Sequence, residues 1–309
     1  MPHAVLFPGQ GSQFVGMGAD LFDAMPDLLG DSADAVLGWS LRSVCLEGPE
    51  EALTRTEVAQ PALFALGFAL FAALSRVSPS PAAAAGHSLG EYTALAAAGV
   101  LGFSEGLALV AARGRAMSTA ADVEPSGMAA LLGAGFEEAE GLAAACRGSG
   151  GRLWVANMNA PGQAVVAGGA ADLEWAAAHA SDHGIRRVIP LKVSGAFHSP
   201  FMEPAAADLA EAVATTRFGS GAFPVWSNAT AAPHGSDPRS ALLRQLTSPV
   251  LFAKSLDAMA AAGIGTFVHV GPGDVTAGLA RRSVEGAEVL VVSTLADVGE
   301  VAQRLAAVS

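Results

Sequence analysis

Charged residues and cysteines are both scarce in this chain. Only 15 % of the 309 residues are charged and 51 % are hydrophobic, whereas an average protein has about 25 % charged residues. This composition excludes intrinsic disorder of the whole chain. The two cysteines, Cys45 and Cys146, lie far apart in the sequence. They form neither a disulfide framework nor a zinc-ligand spacing, so we expect buried thiols in a reducing cytosol and no metal site.

Positive charge is scarce as well. The chain has 17 Lys and Arg residues but 29 Asp and Glu residues, so the net charge is −12 at pH 7. Such an acidic chain is a poor candidate for binding nucleic acid. Residues 1–7 have no basic stretch of the kind that a signal peptide carries. The most apolar of the long uncharged runs, residues 58–75, is interrupted by Gln60, Pro61 and Gly67. We therefore expect a cytoplasmic protein without a membrane span.

Short apolar runs alternate with longer runs rich in Ala and Leu. This order predicts an α/β protein with a largely parallel sheet. A first strand at residues 4–7 leads into a glycine-rich turn, and a strand at residues 82–85 leads into another. Three more strands are predicted at residues 224–228, 266–270 and 289–292.

The middle of the chain follows a different order of elements. Residues 128–191 read as β-α-β-β-α-β, the order of the ferredoxin-like arrangement. The sequence therefore predicts a ferredoxin-like domain at residues 126–192, inserted into an α/β domain formed by residues 1–125 and 193–309. The length of the chain fits about two domains, or one large domain with an insert.

Residues 86–90 have the sequence Gly-His-Ser-Leu-Gly, which matches the G-x-S-x-G nucleophile elbow. In that motif a serine lies on a strained turn between a strand and a helix. A strand-like run precedes Ser88 and a helical run follows it, although a simple strand-to-helix turn is the alternative interpretation. A serine nucleophile needs a base. Among the seven histidines, His198 follows a predicted strand and is the candidate.

Other histidines have ordinary structural interpretations. His179 and His183 lie one helical turn apart, a spacing that metal ligands also use. No cysteine or glutamate accompanies them, so a solvated helix face is the expected interpretation. His269 lies in an apolar strand, and we expect it in the core.

Six short motifs occur in order along the chain. They are Gly9-Gln10-Gly11-Ser12-Gln13, Gly86-His87-Ser88-Leu89-Gly90-Glu91, Arg113-Gly114, Asn157-Met158-Asn159-Ala160-Pro161-Gly162-Gln163, Gly195-Ala196-Phe197-His198-Ser199 and Gly271-Pro272-Gly273. With them the sequence resembles the malonyl-CoA:acyl-carrier-protein transacylases of fatty-acid and polyketide synthesis, over nearly the whole chain. It looks most similar to the free-standing acyltransferases that serve polyketide synthases in trans. The resemblance implies an α/β-hydrolase-like core with a ferredoxin-like insert, in agreement with the pattern above.

The resemblance also implies roles for matched residues. Ser88 would carry the acyl group as an ester, and His198 would deprotonate first Ser88 and then the incoming phosphopantetheine thiol. The backbone N–H groups of Gln10 and Leu89 would form the oxyanion hole. A backbone carbonyl would orient the histidine, and the matching position is Leu251.

Substrate recognition is implied in the same way. Arg113 matches the arginine whose planar fork pairs with the malonyl carboxylate in this family, while a solvated helix face is the alternative. Phe197 would exclude a branched acyl chain. Gly195 replaces a larger residue and would leave extra room for the acyl group. Asn157 is a further candidate for substrate binding.

The implied activity is ping-pong transfer of a malonyl or related dicarboxylic acyl group from coenzyme A to an acyl carrier protein. The coenzyme A thioester is a substrate, and no bound cofactor or metal is implied. Two alternatives use the same Ser88 and His198: an editing hydrolase for acyl carrier proteins, and transfer of a larger acyl unit between carrier proteins. We expect a monomer. Its carrier protein would also be acidic, so docking needs a local basic patch. The candidates are Arg186, Arg187, Lys192, Arg281 and Arg282, although ordinary solvated charges are the alternative for each.

Overall fold

The computed structural model describes residues 2–308 of the chain. Its strands form two four-stranded sheets. The strands are β1 His3–Phe7, β2 Ala83–Gly86, β3 Ser126–Leu132, β4 Leu153–Ala160, β5 Gln163–Gly169, β6 Arg187–Pro190, β7 Thr266–Val270 and β8 Glu288–Val292.

Helices connect and cover the strands. The α-helices are α1 Ala19–Ala24, α2 Pro26–Leu29, α3 Asp31–Leu37, α4 Leu41–Glu47, α5 Glu50–Thr54, α6 Thr56–Ser75, α7 Gly90–Ala97, α8 Phe103–Ala121, α9 Phe136–Gly148, α10 Ala170–His179, α11 Glu203–Thr215, α12 Arg239–Gln245, α13 Phe252–Ala261, α14 Val275–Ser283 and α15 Leu295–Val308. Two short 3-10 helices lie at Ala180–His183 and Pro200–Met202.

The first sheet is parallel, with the strand order β2-β1-β7-β8. Every residue of β1 and β7 is buried, as expected for strands covered on both faces. Val5 and Phe7 point into one apolar core, while Ala4 and Leu6 point into another on the opposite face. The predicted α/β fold with a parallel sheet is confirmed.

Two turns meet at the carboxyl edge of this sheet. Phe7, the last residue of β1, pairs with Gly86, the last residue of β2. The backbone N–H of His87 then donates to the Phe7 carbonyl at 2.9 Å. The glycine-rich turn after β1 therefore lies beside the turn that carries Ser88. This edge is where ligands bind in parallel α/β sheets.

The second sheet is antiparallel, with the strand order β4-β5-β3-β6. This is the strand order that a β-α-β-β-α-β unit takes in the ferredoxin-like arrangement. Helices α9 and α10 share a core of their own with it, which includes Leu131, Leu142 and Ala176. The ferredoxin-like insert is thus present, and the exact domain limits at residues 126 and 192 stay a prediction.

Helix α6 is long and apolar enough to cross a membrane by length and composition alone. In its most hydrophobic window, 72 % of the residues are buried inside the protein. The core helix of a folded domain shows the same burial, so the composition of α6 is weak evidence for a membrane span.

Two parts of the chain differ from the predictions. Residues 224–228 form no strand, because only isolated bridges occur there, at Val225 and Trp226. The backbone N–H of Asn228 donates to the Glu91 carboxylate at 3.0 Å instead of to a neighbouring strand. No element is predicted between residues 14 and 60, yet α1–α5 lie there and α6 begins there. Glycines and prolines divide this segment into helices too short to show a period.

Candidate active site

The turn between β2 and α7 holds Ser88 in a left-handed backbone conformation. Its φ is +51°, which residues other than glycine rarely adopt. The two flanking glycines are needed for close backbone approaches. A Cβ on Gly86 would lie 1.9 Å from the carbonyl of Gly90, and a Cβ on Gly90 would lie 2.3 Å from the carbonyl oxygen of Phe7. The motif is therefore a strained turn held against β1.

We expect Gly90→Ala to lower the free energy of unfolding by at least about 2 kcal/mol, because the new methyl group meets rigid backbone. The measurement is urea unfolding. Gly299→Ala is the matched control, since Gly299 is an exposed residue in α15 with no atom within 4 Å of a Cβ. The control should gain about 0.5–1 kcal/mol from helix propensity. Equal midpoints for the two variants would contradict the packing argument.

Ser88 and His198 are in hydrogen-bond contact. Ser88 Oγ lies 2.8 Å from His198 Nε2, and His198 Nδ1 lies 2.8 Å from the backbone carbonyl oxygen of Gln245. A carbonyl can only accept, so Nδ1 carries the proton and Nε2 is free to accept from the Ser88 hydroxyl. His198 is buried and also has a positive φ, +58°. The geometry is that of a serine with its base and an orienting group.

The prediction that Leu251 supplies the orienting carbonyl was wrong. Gln245 is the last residue of α12, and the final carbonyls of a helix have no partner within it. The Gln245 carbonyl is therefore available to the imidazole. The Leu251 carbonyl instead accepts from Ser255, from its backbone N–H at 3.0 Å and its hydroxyl at 3.1 Å.

The surroundings of His198 favour its neutral form. Burial lowers the pKa of His198 to about 3, and the positive charge of Arg113 acts in the same direction. The imidazole is therefore neutral near pH 7, as a proton acceptor must be.

We expect the protein to lose stability as the pH falls below about 6.5. Burial lowers the pKa of His198 to about 3 and that of His269 to about 4, whereas both return to about 6.5 in the unfolded chain. Below pH 6.5 the unfolded chain binds more protons, so the free energy of unfolding falls on the order of 1 kcal/mol per pH unit for each histidine. The slope is measured from urea unfolding midpoints between pH 7.5 and 5, a range in which most carboxylates stay ionised. A midpoint that stays constant over this range would contradict it.

Arg113 reaches Ser88 from α8 and is fully buried. Its Nη2 donates to Ser88 Oγ at 3.0 Å and to the side-chain oxygen of Gln245 at 2.8 Å. Its Nη1 donates to the side-chain oxygen of Gln60 at 2.7 Å. Within residues 2–308, no carboxylate forms an ion pair with Arg113. The structure thus excludes a solvated helix face and leaves a buried, unpaired cation beside the serine.

Asn228 and Gln245 hold the turn in place, and the sequence patterns missed both. Asn228 accepts from the Ser88 backbone N–H at 2.7 Å and donates to the Gly86 carbonyl at 2.7 Å. The Gln245 amide donates to the Ser88 carbonyl at 2.9 Å and to Glu91 at 2.6 Å. The signal available in the sequence is weak: each is an uncharged polar residue with an apolar neighbour on one side only.

Two backbone N–H groups near Ser88 have no partner in the described part of the chain. The backbone N–H of Ser88 donates to the side chain of Asn228. The backbone N–H groups of Leu89 and Gln10 donate to no group within residues 2–308. The Gln10 side chain donates to Thr56 at 3.2 Å, which anchors the turn after β1. Unpaired N–H groups of this kind can bind a developing negative charge on an oxygen.

Ser88 lines a cavity of about 270 Å³. Its walls include most of the predicted site residues, namely Gln10, Ser88, Leu89, Arg113, Asn157, Phe197 and His198. Gly195 and Leu251 are not part of them. A Cβ on Gly195 would lie 2.6 Å from the Cβ of Ala121, so this glycine permits close packing against α8. The prediction that Gly195 enlarges the substrate site was wrong.

The remaining candidates lie away from the cavity. Burial raises the pKa of the Cys45 thiol to about 12, and Cys146 is also a buried free thiol. His179 stacks on Trp175 with a centroid distance of 4.0 Å. Among the residues that the structure describes, no group of three or more His, Cys, Asp or Glu side chains could hold a metal ion.

Comparison with known proteins adds a family to this geometry. Residues 5–302 match the acyl transferase domain family. The chain is 40 % identical over 294 residues to a malonyl CoA-acyl carrier protein transacylase of Bacillus subtilis, covering 94 % of this chain and 93 % of the relative. It is 39 % identical over 282 residues to a polyketide biosynthesis protein of Burkholderia thailandensis, covering 91 % of this chain and 24 % of that protein. A solved complex of a type II polyketide synthase acyl-carrier protein with its malonyl-transacylase matches with a TM-score of 0.92 and 35 % identity, covering 98 % of this chain and all of that one (100 %).

Proposed function

The chain belongs to the acyl transferase domain family, and from this premise we propose that it moves a malonyl group from coenzyme A to the phosphopantetheine thiol of an acyl carrier protein. The relatives named above act in acyl-carrier-protein malonylation and in polyketide biosynthesis, at nearly equal identities of 40 % and 39 %. The product would therefore feed fatty-acid or polyketide synthesis.

The buried guanidinium of Arg113 is the observation that carries the proposal. It lies 3.0 Å from Ser88 Oγ without a carboxylate partner among residues 2–308. A malonyl group ends in a carboxylate, which can pair with the guanidinium fork through two hydrogen bonds. A neutral acyl chain would leave the cation buried and unpaired, which is unfavourable. The site therefore favours an acyl group with a terminal negative charge.

In the first half-reaction Ser88 Oγ attacks the thioester carbonyl of malonyl-CoA, and His198 Nε2 takes the hydroxyl proton. The Gln245 carbonyl stabilises the imidazolium that forms. The N–H groups of Leu89 and Gln10 donate to the oxyanion. Collapse of the tetrahedral intermediate breaks the carbon–sulfur bond, and the leaving thiolate takes the proton from His198. Ser88 is then a malonyl ester.

The second half-reaction runs the same steps in reverse order. His198 takes the proton of the phosphopantetheine thiol, the thiolate attacks the ester carbonyl, and Ser88 leaves with that proton. The acyl carrier protein is the proposed partner. Lys192 and Arg282 are exposed and line the same cavity, so they offer positive charge where an acidic carrier would dock.

Three further parts of the proposal rest on the sequence. We propose that the protein acts in the cytoplasm, as a monomer, and with the coenzyme A thioester as substrate rather than with a bound cofactor. Phe197 lines the cavity and is proposed to exclude branched acyl groups, and Asn157 lines it as a polar group for the substrate.

Intact-protein mass spectrometry after brief incubation with malonyl-CoA, without a carrier protein, tests this function. We expect a malonyl adduct that holo-acyl carrier protein then removes. Steady release of free coenzyme A without an adduct would instead support an editing hydrolase. Neither adduct nor release would support a larger acyl unit delivered by a carrier protein, and would overturn the malonyl proposal.

A further inference from the structure

Glu91 is a fully buried carboxylate in the first turn of α7. Its Oε2 accepts from the side-chain amide of Gln245 at 2.6 Å and from the backbone N–H of Asn228 at 3.0 Å. Its Oε1 lies 2.6 Å from Nε2 of His234. A single carboxylate thus connects His234 to both residues that hold the Ser88 turn.

His234 lies on the far side of this carboxylate from the acyl site. Its side chain is 6 % exposed, and its backbone N–H donates to the Val225 carbonyl at 2.8 Å. It lines a second cavity, of about 410 Å³, whose walls share no residue with the cavity at Ser88. His234 can therefore influence the acyl site through Glu91 without touching substrate.

Burial makes the donor from His234 important to Glu91. A carboxylate without water must be satisfied by hydrogen bonds and a nearby donor or cation. If the His234 donor is removed, Oε1 has no partner, and the carboxyl group must take up a proton or turn. Either change alters its bonds to Gln245 and Asn228. The Gln245 carbonyl then no longer holds the His198 imidazole in the same place.

We propose that His234 is a positioning residue for acyl transfer. It orients Glu91, which orients Gln245, and the Gln245 carbonyl holds His198 against Ser88. The transfer assay that detects this effect rests on the proposed function. Reaction of Ser88 with a fluorophosphonate does not, because that probe reports on the serine–histidine pair whatever the natural acyl group is.

The test compares His234→Leu with His234→Gln. Leucine fills similar space but donates nothing, whereas the glutamine amide can replace the Nε2 donor. We expect His234→Leu to lower the fluorophosphonate labelling rate and the kcat of malonyl transfer about tenfold, with the KM for malonyl-CoA nearly unchanged. His234→Gln should restore at least about half of both rates. If His234 only stabilised the fold, His234→Leu would lower Tm without lowering kcat at an unchanged KM.

A double-mutant cycle tests the route through Glu91. In the Glu91→Gln background, His234→Leu should lower the labelling rate by less than about twofold, because the connecting carboxylate is already gone. Ser236→Ala is the matched control. Ser236 lines the same second cavity and has no bond to Glu91, so its rates should equal those of the unmodified protein.

Wild-type labelling and transfer rates in folded His234→Leu would overturn the inference. If His234→Leu does not fold, His234→Asn takes its place, because its amide is polar but too short to meet Glu91. Wild-type rates in His234→Asn would likewise overturn it. Failure of the proposed function has a different signature: the unmodified protein would be labelled at Ser88 and transfer no malonyl group.

Discussion

Replacement of Ser88 by alanine should abolish acylation of the protein by malonyl-CoA. Ser88 Oγ is in contact with both His198 Nε2, at 2.8 Å, and Arg113 Nη2, at 3.0 Å. No other hydroxyl in the described structure contacts both groups, so nothing can replace it as the ester-forming atom. We expect the rate of carrier-protein malonylation to fall at least about 1000-fold. Intact-protein mass and a holo-acyl-carrier-protein assay measure the two steps separately.

Ser181→Ala is the control for this experiment. Ser181 is an exposed residue in the 3-10 helix of the ferredoxin-like insert and has no contact with the cavity. The Ser181→Ala variant should form the same amount of malonyl adduct as the unmodified protein. Peptide mapping of the variant should locate the malonyl group on Ser88. A malonyl adduct that persists in Ser88→Ala would show that another residue is the nucleophile.

The turn that carries Ser88 was predictable because its chemistry is local. The flanking glycines, the strand before it and the helix after it all lie within a few residues. The structure explains their presence, since a Cβ at Gly86 or Gly90 would overlap the backbone. The parallel sheet and the ferredoxin-like order were predictable for the same reason: each strand is a short apolar run, and each helix is a longer run rich in Ala and Leu.

The groups that orient the site were not predictable in this way. Gln245 contacts His198 through a backbone carbonyl, and every residue has one. The choice of Gln245 over Leu251 depends on where α12 ends, and element boundaries are the least certain feature of a sequence-based prediction. Asn228 lies 140 residues from Ser88 in sequence, and its role depends on the backbone leaving the sheet there.

Gly195 shows a second reason why the site could not be predicted completely from the sequence. A missing side chain suggests space, but the fold decides which neighbour fills it. Here Ala121 of α8 lies where a Cβ would be, so the glycine serves packing rather than substrate binding. Gly195 also lies outside the cavity wall, so it does not supply the extra room that a larger acyl unit would need.

Arg113→Ala should separate malonyl from acetyl transfer. Removal of the guanidinium leaves the malonyl carboxylate buried without a cation, which costs several kcal/mol. We expect kcat/KM for malonyl-CoA to fall at least about 100-fold. Transfer from acetyl-CoA should stay within about tenfold of the unmodified protein or rise, because a neutral acyl group no longer meets an unpaired cation. Parallel kinetics with the two thioesters measure this change in specificity.

Acetyl-CoA also serves as the internal control for the site itself. Arg113 donates to Gln60 and Gln245, and Gln245 orients His198, so its loss can disturb the catalytic pair. Such a disturbance would lower both reactions together, whereas loss of carboxylate recognition lowers only malonyl transfer. Arg113→Lys keeps the charge but not the planar fork. Its malonyl transfer activity should therefore lie between that of the unmodified protein and that of Arg113→Ala. Unchanged malonyl kinetics in Arg113→Ala would remove carboxylate pairing from the mechanism, because the buried cation would then have no part in binding the substrate.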